Sequence, residues 1–183
     1  MAIKSLFGPS RKEIWRQLST EIGAQYVEGG FWKGDKVQAA HGEWTVTLDT
    51  YTVSNGKTTV VYTRMRAPYE DPSDFRFTIY RKGLFTGLAK WLGMQDVNVG
   101  YEPFDEAFVI KGTNEGMLRA LFSDTKLREL VEKQKDIHFT VKKGALHFHV
   151  TGVIKDIERL KLLFDLFGET LERLQSIASI KPV

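Results

Sequence analysis

The sequence predicts an α+β protein built mainly on antiparallel β-sheet, and three observations support this class. Asn55-Gly56 lies between two runs of alternating residues, which is typical of a β-hairpin. Lys143-Gly144 divides a second alternating run in the same way. Helical periodicity appears at both ends of the chain and between the hairpins. We therefore expect an antiparallel β-meander with an N-terminal helix, then a β-α-α-β-β-α unit that ends in a long C-terminal helix.

The composition is that of a globular protein with a sizeable core. The 183 residues are 42% hydrophobic and 12% aromatic, and we expect one domain over 1–183 with a soft internal boundary near 94–103. The absence of Cys excludes disulfides, catalytic thiols and thiolate metal sites. No apolar run approaches the roughly 18 residues of a spanning helix, so we expect a cytoplasmic protein. A net charge of +3 permits an anionic partner, but it does not by itself indicate nucleic acid, which we do not expect.

The first helix has a clear start and a clear end. Ser10 and Glu13 form the S-x-x-E pattern of a capping box. Gly23 is a natural C-terminal stop. The apolar face between them is predicted to contain Ile14, Trp15, Leu18 and Ile22.

The meander is predicted to occupy 36–80. A type I′ turn at Asn55-Gly56 would pair Val53 with Thr58 and Asp49 with Tyr62. A third strand over 75–80 repeats the alternation, so three or four antiparallel strands are expected to be neighbours in sequence order.

The second half combines a strand, two short helices, a hairpin and a long helix. The strand is predicted over 104–111 and the helices over 114–122 and 125–134. A two-residue turn at Lys143-Gly144 would pair Val141 with Leu146. The last helix, predicted over 154–176, has apolar residues at alternating spacings of four and three, a heptad pattern. These residues are Val153, Ile157, Leu160, Phe164, Phe167, Leu171, Leu174 and Ala178.

Several segments resemble a group of small uncharacterised bacterial proteins. They are "YTRMRAP", "FRFTIYRKG", "GMQD" and "FDEAFVIKGTNEGMLRALFSDTKLREL". These proteins combine an N-terminal helix and sheet with a unit of the pattern F-D-x-x-F-x-[IV]-K-G-[NT]. The resemblance covers most of the chain and implies a bacterial, cytoplasmic origin, but it implies no activity and no catalytic residue.

The first candidate site is a basic and aromatic face of the meander. Arginines interleaved with tyrosines can hold phosphates and stack on flat groups, and they suit an anionic ligand or an acidic protein. Two simpler interpretations stay open: a solvated face on which Asp49 neutralises part of Arg64, or a face covered by a helix of the same chain. The candidate ligand-binding residues are Tyr51, Tyr62, Arg64, Arg66, Arg76 and Tyr80.

The second candidate site consists of three histidines in the second hairpin. The predicted register places His138 opposite His149, with His147 two residues along the same face. Three imidazoles can hold zinc with one open position, which would allow a metal-dependent hydrolase. The simpler interpretation is the solvent face of a sheet, and the neighbouring Lys142 disfavours a cation. No other cofactor is expected.

The third candidate is the amphipathic stretch "RKGLFTGLAKWLGM". On a helical wheel its large apolar residues fill an arc of about 120°, which suits either a helix on a membrane surface or a helix packed on a sheet. Core packing is the more ordinary outcome for such a face. The residues are Leu84, Phe85, Leu88, Trp91 and Leu92.

Three functions therefore follow from the sequence, in decreasing order of support. The leading one is a non-catalytic binding or scaffold protein that uses the Arg/Tyr face. The alternatives are a peripheral membrane protein using 84–92 and a hydrolase at the three histidines. A homodimer through the C-terminal helix, with exposed apolar residues near Leu171, Leu174 and Ala178, is left open.

Overall fold

The computed structural model describes residues 8–30, 34–70, 73–83 and 94–179. In these ranges the chain forms five helices and nine strands, in agreement with the predicted α+β class. The helices are α1 (Arg11–Ile22), α2 (Glu102–Ala107), α3 (Glu115–Phe122), α4 (Thr125–Glu132) and α5 (Ile157–Ser179). The strands are β1 (Gln25–Val27), β2 (Lys36–His41), β3 (Trp44–Ser54), β4 (Thr59–Pro68), β5 (Phe77–Arg81), β6 (Gln95–Asp96), β7 (Phe108–Gly112), β8 (His138–Lys142) and β9 (Ala145–Thr151).

All nine strands belong to one antiparallel sheet in the order β1-β2-β3-β4-β9-β8-β5-β7-β6. The two predicted hairpins, β3–β4 and β8–β9, meet in the middle of this sheet. Met65 of β4 pairs with Phe148 of β9, so the hairpins share one hydrogen-bonded ladder. The region 94–103 contributes the edge strand β6 and two valines, Val97 and Val99, that are buried in the same core.

The predicted order of the meander is wrong at its third step. β2, β3 and β4 are sequential neighbours as expected, but β5 pairs with β7 and β8 and is separated from β4 by β9 and β8. Alternation along a strand shows which side chains share a face, but it carries no information about which strand lies alongside. The C-terminal hairpin takes the position beside β4.

Helix α1 begins and ends as the sequence predicts. Ser10 Oγ accepts from the Glu13 N–H at 3.3 Å, and the Ser10 N–H donates to Glu13 Oε2 at 2.7 Å. Gly23 closes the helix with φ 65°, in the left-handed region that glycine adopts without strain. Trp15 and Leu18 are fully buried on its inner face.

The first hairpin has a longer turn than predicted. Val53 pairs with Val60 and Asp49 with Arg64, a register shifted by two residues from the expected one. The cause is Asn55, whose side-chain oxygen accepts from the N–H groups of Lys57 and Thr58 at 3.0 and 2.9 Å. This side chain stabilises a four-residue loop, and a shift of two leaves every residue on its predicted face.

The second hairpin has the predicted register, with Val141 opposite Leu146 and Phe139 opposite Phe148. Lys143 and Gly144 have φ values of 51° and 70°, as a two-residue type I′ turn requires. The predicted strand over 104–111 is partly wrong, because its first half is α2, which has Pro103 in its first turn, and only Phe108–Gly112 is strand.

The helices supply the apolar layer for one face of the sheet. Side chains of α1, α3, α4 and α5 and one set of alternating strand residues form a single hydrophobic cluster. Helix α5 packs against α1, α3 and α4, so its heptad pattern serves packing within the chain. Leu171 and Leu174 are fully buried, which corrects the expectation that they remain exposed for a dimer partner. In the described part of the chain no helix, α5 included, is long and apolar enough to cross a membrane.

Candidate functional site

The sheet face opposite the helices is lined by polar side chains, and we call it the polar face. It results from alternation along the strands, in which Arg64 and Arg66 flank the core residue Met65 and His147 and His149 flank the core residue Phe148. Arg64 pairs with Asp49 on one side and His149 on the other, and Arg66 pairs with His147. Its central members are Asp49, Tyr51, Tyr62, Arg64, Arg66, Thr78, Tyr80, His138, Thr140, His147 and His149.

The predicted Arg/Tyr site lies on this face but in two separate parts. Tyr51, Tyr62, Arg64 and Arg66 are together on β3 and β4. Tyr80 is on β5, three strand spacings of about 4.8 Å from β4, or roughly 14 Å away.

Arg76 precedes β5 and contacts Asp74, with 3.3 Å between Nη2 and Oδ2. The expectation that all six residues form one cluster is therefore corrected. β9 and β8 fill the space between the two parts, and they bring the three histidines into it.

Two arginines share one carboxylate at the centre of the β3–β4 part. Arg64 donates from Nε and Nη2 to the two oxygens of Asp49, both at 2.8 Å. Arg66 Nη2 donates to Asp49 Oδ2 at 3.0 Å. The two guanidinium groups and the one carboxylate leave this cluster with a net charge of +1. The hydrogen bond to Asp49 raises the pKa of Arg64.

A pair of tyrosines extends this cluster toward the hairpin tip. The rings of Tyr51 and Tyr62 are stacked at 5.0 Å with an interplanar angle of 13°. The Arg64 guanidinium lies 5.0 Å from the Tyr51 ring centroid, a cation–π distance. Burial, followed by the neighbouring Tyr62 hydroxyl, raises the pKa of Tyr51. The arrangement offers a flat aromatic surface beside a positive charge.

The histidines continue the face across β9 and β8. His138 Nδ1 and His149 Nδ1 are 3.4 Å apart, and the rings meet edge to face at 4.6 Å. His138 is 3% exposed. Burial, then the charges of His149 and Lys142, lowers its pKa to about 4. Burial and Lys142 also lower the pKa values of His147 and His149, so all three are neutral at pH 7.

The structure brings together two of the three predicted zinc ligands, His138 and His149, while His147 lies opposite Thr140. Among the residues that the structure describes, no three His, Asp or Glu side chains are arranged to hold a metal ion. Zinc binding therefore stays a prediction that gains no further support from the geometry.

The sequence predicts the arginines and the histidines as two separate sites. The structure makes them one surface, because β9 lies directly beside β4. Thr78 and Thr140, which sequence reasoning did not select, are fully buried members of the same face. The sequence does contain a signal for these two threonines, because each lies between two core residues along its strand and therefore belongs to the opposite face of the sheet. The amphipathic residues Leu84–Leu92 lie outside the described residues.

No protein-family model and no curated protein matches this chain at a significant level. One solved structure is similar in fold: the crystal structure of the mycobacterial trehalose monomycolate transport factor A, TtfA. The similarity covers 94% of this chain and 97% of that chain, with a TM-score of 0.52 and 10% sequence identity. At this identity the comparison shows a shared fold.

Proposed function

We propose that this protein is a non-catalytic binding or scaffold protein that recognises an anionic ligand or an acidic partner through the β3–β4–β9 part of the polar face. The observation that carries the proposal is the pair of arginines on one carboxylate. Asp49 is engaged by both Arg64 and Arg66, so the cluster keeps a net positive charge. The side chain of Arg66 is still 42% exposed and can meet a partner.

The surroundings of this pair favour binding over chemistry. General acid–base catalysis needs titratable groups held near the working pH, whereas burial depresses the pKa values of the histidines here. Stacked tyrosines supply rigid contact area at low entropic cost, which is typical of recognition surfaces. The shared fold with a protein named as a transport factor is consistent with an accessory, non-catalytic role.

A second candidate function is peripheral membrane association through Leu84–Leu92. Its support is the amphipathic sequence pattern together with the flanking cations Arg81, Lys82 and Lys90. Residence in a bacterial cytoplasm and a homodimer both stay predictions from the sequence. A zinc-dependent hydrolase is the third candidate, and it predicts stoichiometric zinc after dialysis at neutral pH.

The experiment that tests the proposal is flotation of the protein with anionic and neutral vesicles at low and physiological salt. We expect the wild type to float with anionic vesicles only and to dissociate as salt screens the charges. Arg64→Gln combined with Arg66→Gln should abolish flotation. Arg119→Gln is the matched control, because Arg119 is an exposed helical arginine paired with Glu115.

The two leading candidates give opposite results in this assay. Trp91→Ser should leave flotation intact if the polar face binds, and it should abolish flotation if the segment 84–92 binds. Equal flotation of the wild type and the double arginine variant would contradict the proposed function.

A further inference from the structure

A pocket of about 420 Å³ lies where the end of β9, the loop between α4 and β8, and the first two turns of α5 meet. It is separate from the centre of the polar face, because none of the central residues of that face lines it. Sites for small molecules in proteins have volumes of roughly 300–1,000 Å³. The pocket is therefore large enough to hold a ligand of its own.

Hydrogen bonds hold the walls of this pocket in place. The buried Thr63 hydroxyl donates to the Gly152 carbonyl oxygen at 2.7 Å and accepts from the Ile154 N–H at 3.0 Å. These two bonds tie the segment after β9 to β4. On the other side, Arg159 Nη2 donates to the Asp136 carbonyl oxygen at 3.1 Å, which ties α5 to the loop before β8. Preorganised walls lower the cost of binding a ligand.

The inner wall of the pocket is aliphatic. Val150 and Ile154 belong to the hydrophobic core, and the half-buried Leu162 of α5 packs against that core. Among the described residues that line the pocket there is no aromatic side chain. Such a wall suits a flexible aliphatic chain better than a nucleobase, which proteins commonly hold by stacking on an aromatic ring.

The rim of the pocket is positively charged. Three exposed lysines line it and make no ion pair within the described part of the chain: Lys133, Lys135 and Lys155. The two acidic residues of the lining are already engaged. Asp156 Oδ1 accepts from the Arg159 N–H at 3.1 Å, and Glu158 Oε1 accepts from Lys161 Nζ at 2.9 Å. Four basic and two acidic lining residues leave a net charge of +2.

We propose that this pocket binds a fatty acid, with the chain against the aliphatic wall and the carboxylate among the three lysines. The site is a second one, and it does not depend on the proposed function of the polar face. The positive rim disfavours a cationic amphiphile, and the aliphatic wall gives a fatty acid an advantage over a small hydrophilic anion. Because the lysines are exposed, their attraction to the carboxylate should weaken as salt is added.

The test is an NMR titration of the full chain, labelled at its methyl groups, with butanoate, hexanoate and octanoate. We expect shifts at the methyl groups of Val150, Ile154 and Leu162. Each additional methylene that is buried should strengthen binding about fourfold. Acetate and octyltrimethylammonium are the matched probes, since one lacks the chain and the other has the opposite charge, and neither should shift these methyl groups.

A triple variant tests the rim. Lys133→Gln, Lys135→Gln and Lys155→Gln together keep the aliphatic wall but remove the free charges, and they should weaken octanoate binding about tenfold. Lys57→Gln, in the loop of the first hairpin, is the control and should leave the affinity unchanged. All four lysines are exposed, so thermal unfolding should show the same stability in both variants and the wild type.

Several results would overturn the inference. They are failure of octanoate to bind, equal binding of octanoate and octyltrimethylammonium, an affinity that does not depend on chain length, and full affinity in the triple variant. Shifts on β3 and β4 in place of the three methyl groups would also overturn it, because the acid would then bind the polar face. Vesicle flotation tests the polar face separately, so either proposal can fail while the other stands.

Discussion

The burial of His138 predicts a loss of stability in acid that one substitution should remove. His138 is 3% exposed, and its Nε2 lies 3.4 Å from the Thr78 hydroxyl on the neighbouring strand. Its pKa is lowered to about 4 by burial and by the charges of His149 and Lys142. The folded protein therefore favours the neutral ring, whereas the unfolded chain binds a proton near pH 6.5.

The sign of the effect follows from this difference. Because the pKa of His138 is lowered in the folded state, the contribution of its neutral ring to the unfolding free energy is fully present above pH 6.5. It is lost as the pH falls toward 4, because the unfolded state binds protons first. A shift from 6.5 to about 4 corresponds to roughly 3 kcal/mol of unfolding free energy. This is a large part of the total stability of a domain.

The assay is urea unfolding of the wild type and of His138→Gln at pH 7.5 and pH 4.5. Glutamine keeps a polar side chain but does not titrate. Between pH 7.5 and pH 4.5 the unfolding free energy of the variant should therefore fall by about 2 to 3 kcal/mol less than that of the wild type. The carboxylates titrate in both proteins, and their contribution cancels in the comparison. An equal loss in both proteins would show that the surroundings of His138 do not hold its ring neutral.

Three further predictions concern packing and turns. Gly112→Ala places a Cβ 2.5 Å from Leu118 Cδ1 and should lower the unfolding free energy by roughly 1–3 kcal/mol in urea; an unchanged value would contradict the tight packing. Asn55→Ala removes the side-chain bonds of the hairpin loop and should cost about 1 kcal/mol by thermal unfolding, whereas no change would mean that the loop needs no side chain. Gly168→Ala brings a Cβ within 2.5 Å of the His41 ring. In a His41→Ala background, where the ring is absent, Gly168→Ala should raise the unfolding free energy by about 1 kcal/mol, because alanine favours the helix more than glycine does. It should not do so in the wild-type background, and equal effects in both backgrounds would contradict the contact with His41.

The local features of this fold could be predicted because they depend on neighbouring residues. The capping box at Ser10 and the type I′ turn at Lys143-Gly144 are encoded within a few positions. Asn55 shows the limit of such reasoning. The same Asn-Gly pair that favours a two-residue turn also permits a four-residue loop that is closed by the Asn55 side chain. The strand registers that these two turns produce differ by two residues.

The arrangement of strands could not be predicted from the same patterns. Alternation assigned Arg64, Arg66 and the histidines to solvent-facing positions, and the structure places them on one face. Alternation could not show that β9 lies beside β4, because pairing between distant segments depends on the packing of the whole core. The sequence therefore predicts two separate surfaces, and the cross-strand pairing of Arg66 with His147 lies beyond what alternation can predict.

The binding surface can be mapped by NMR while an anionic ligand is titrated into the labelled protein. We expect shifts at the amides of β3, β4 and β9, centred on Arg64 and Arg66, with the helices unaffected. Shifts that cluster in the segment 84–92 or on α5, with the polar face unchanged, would contradict the claim that this face is the binding surface.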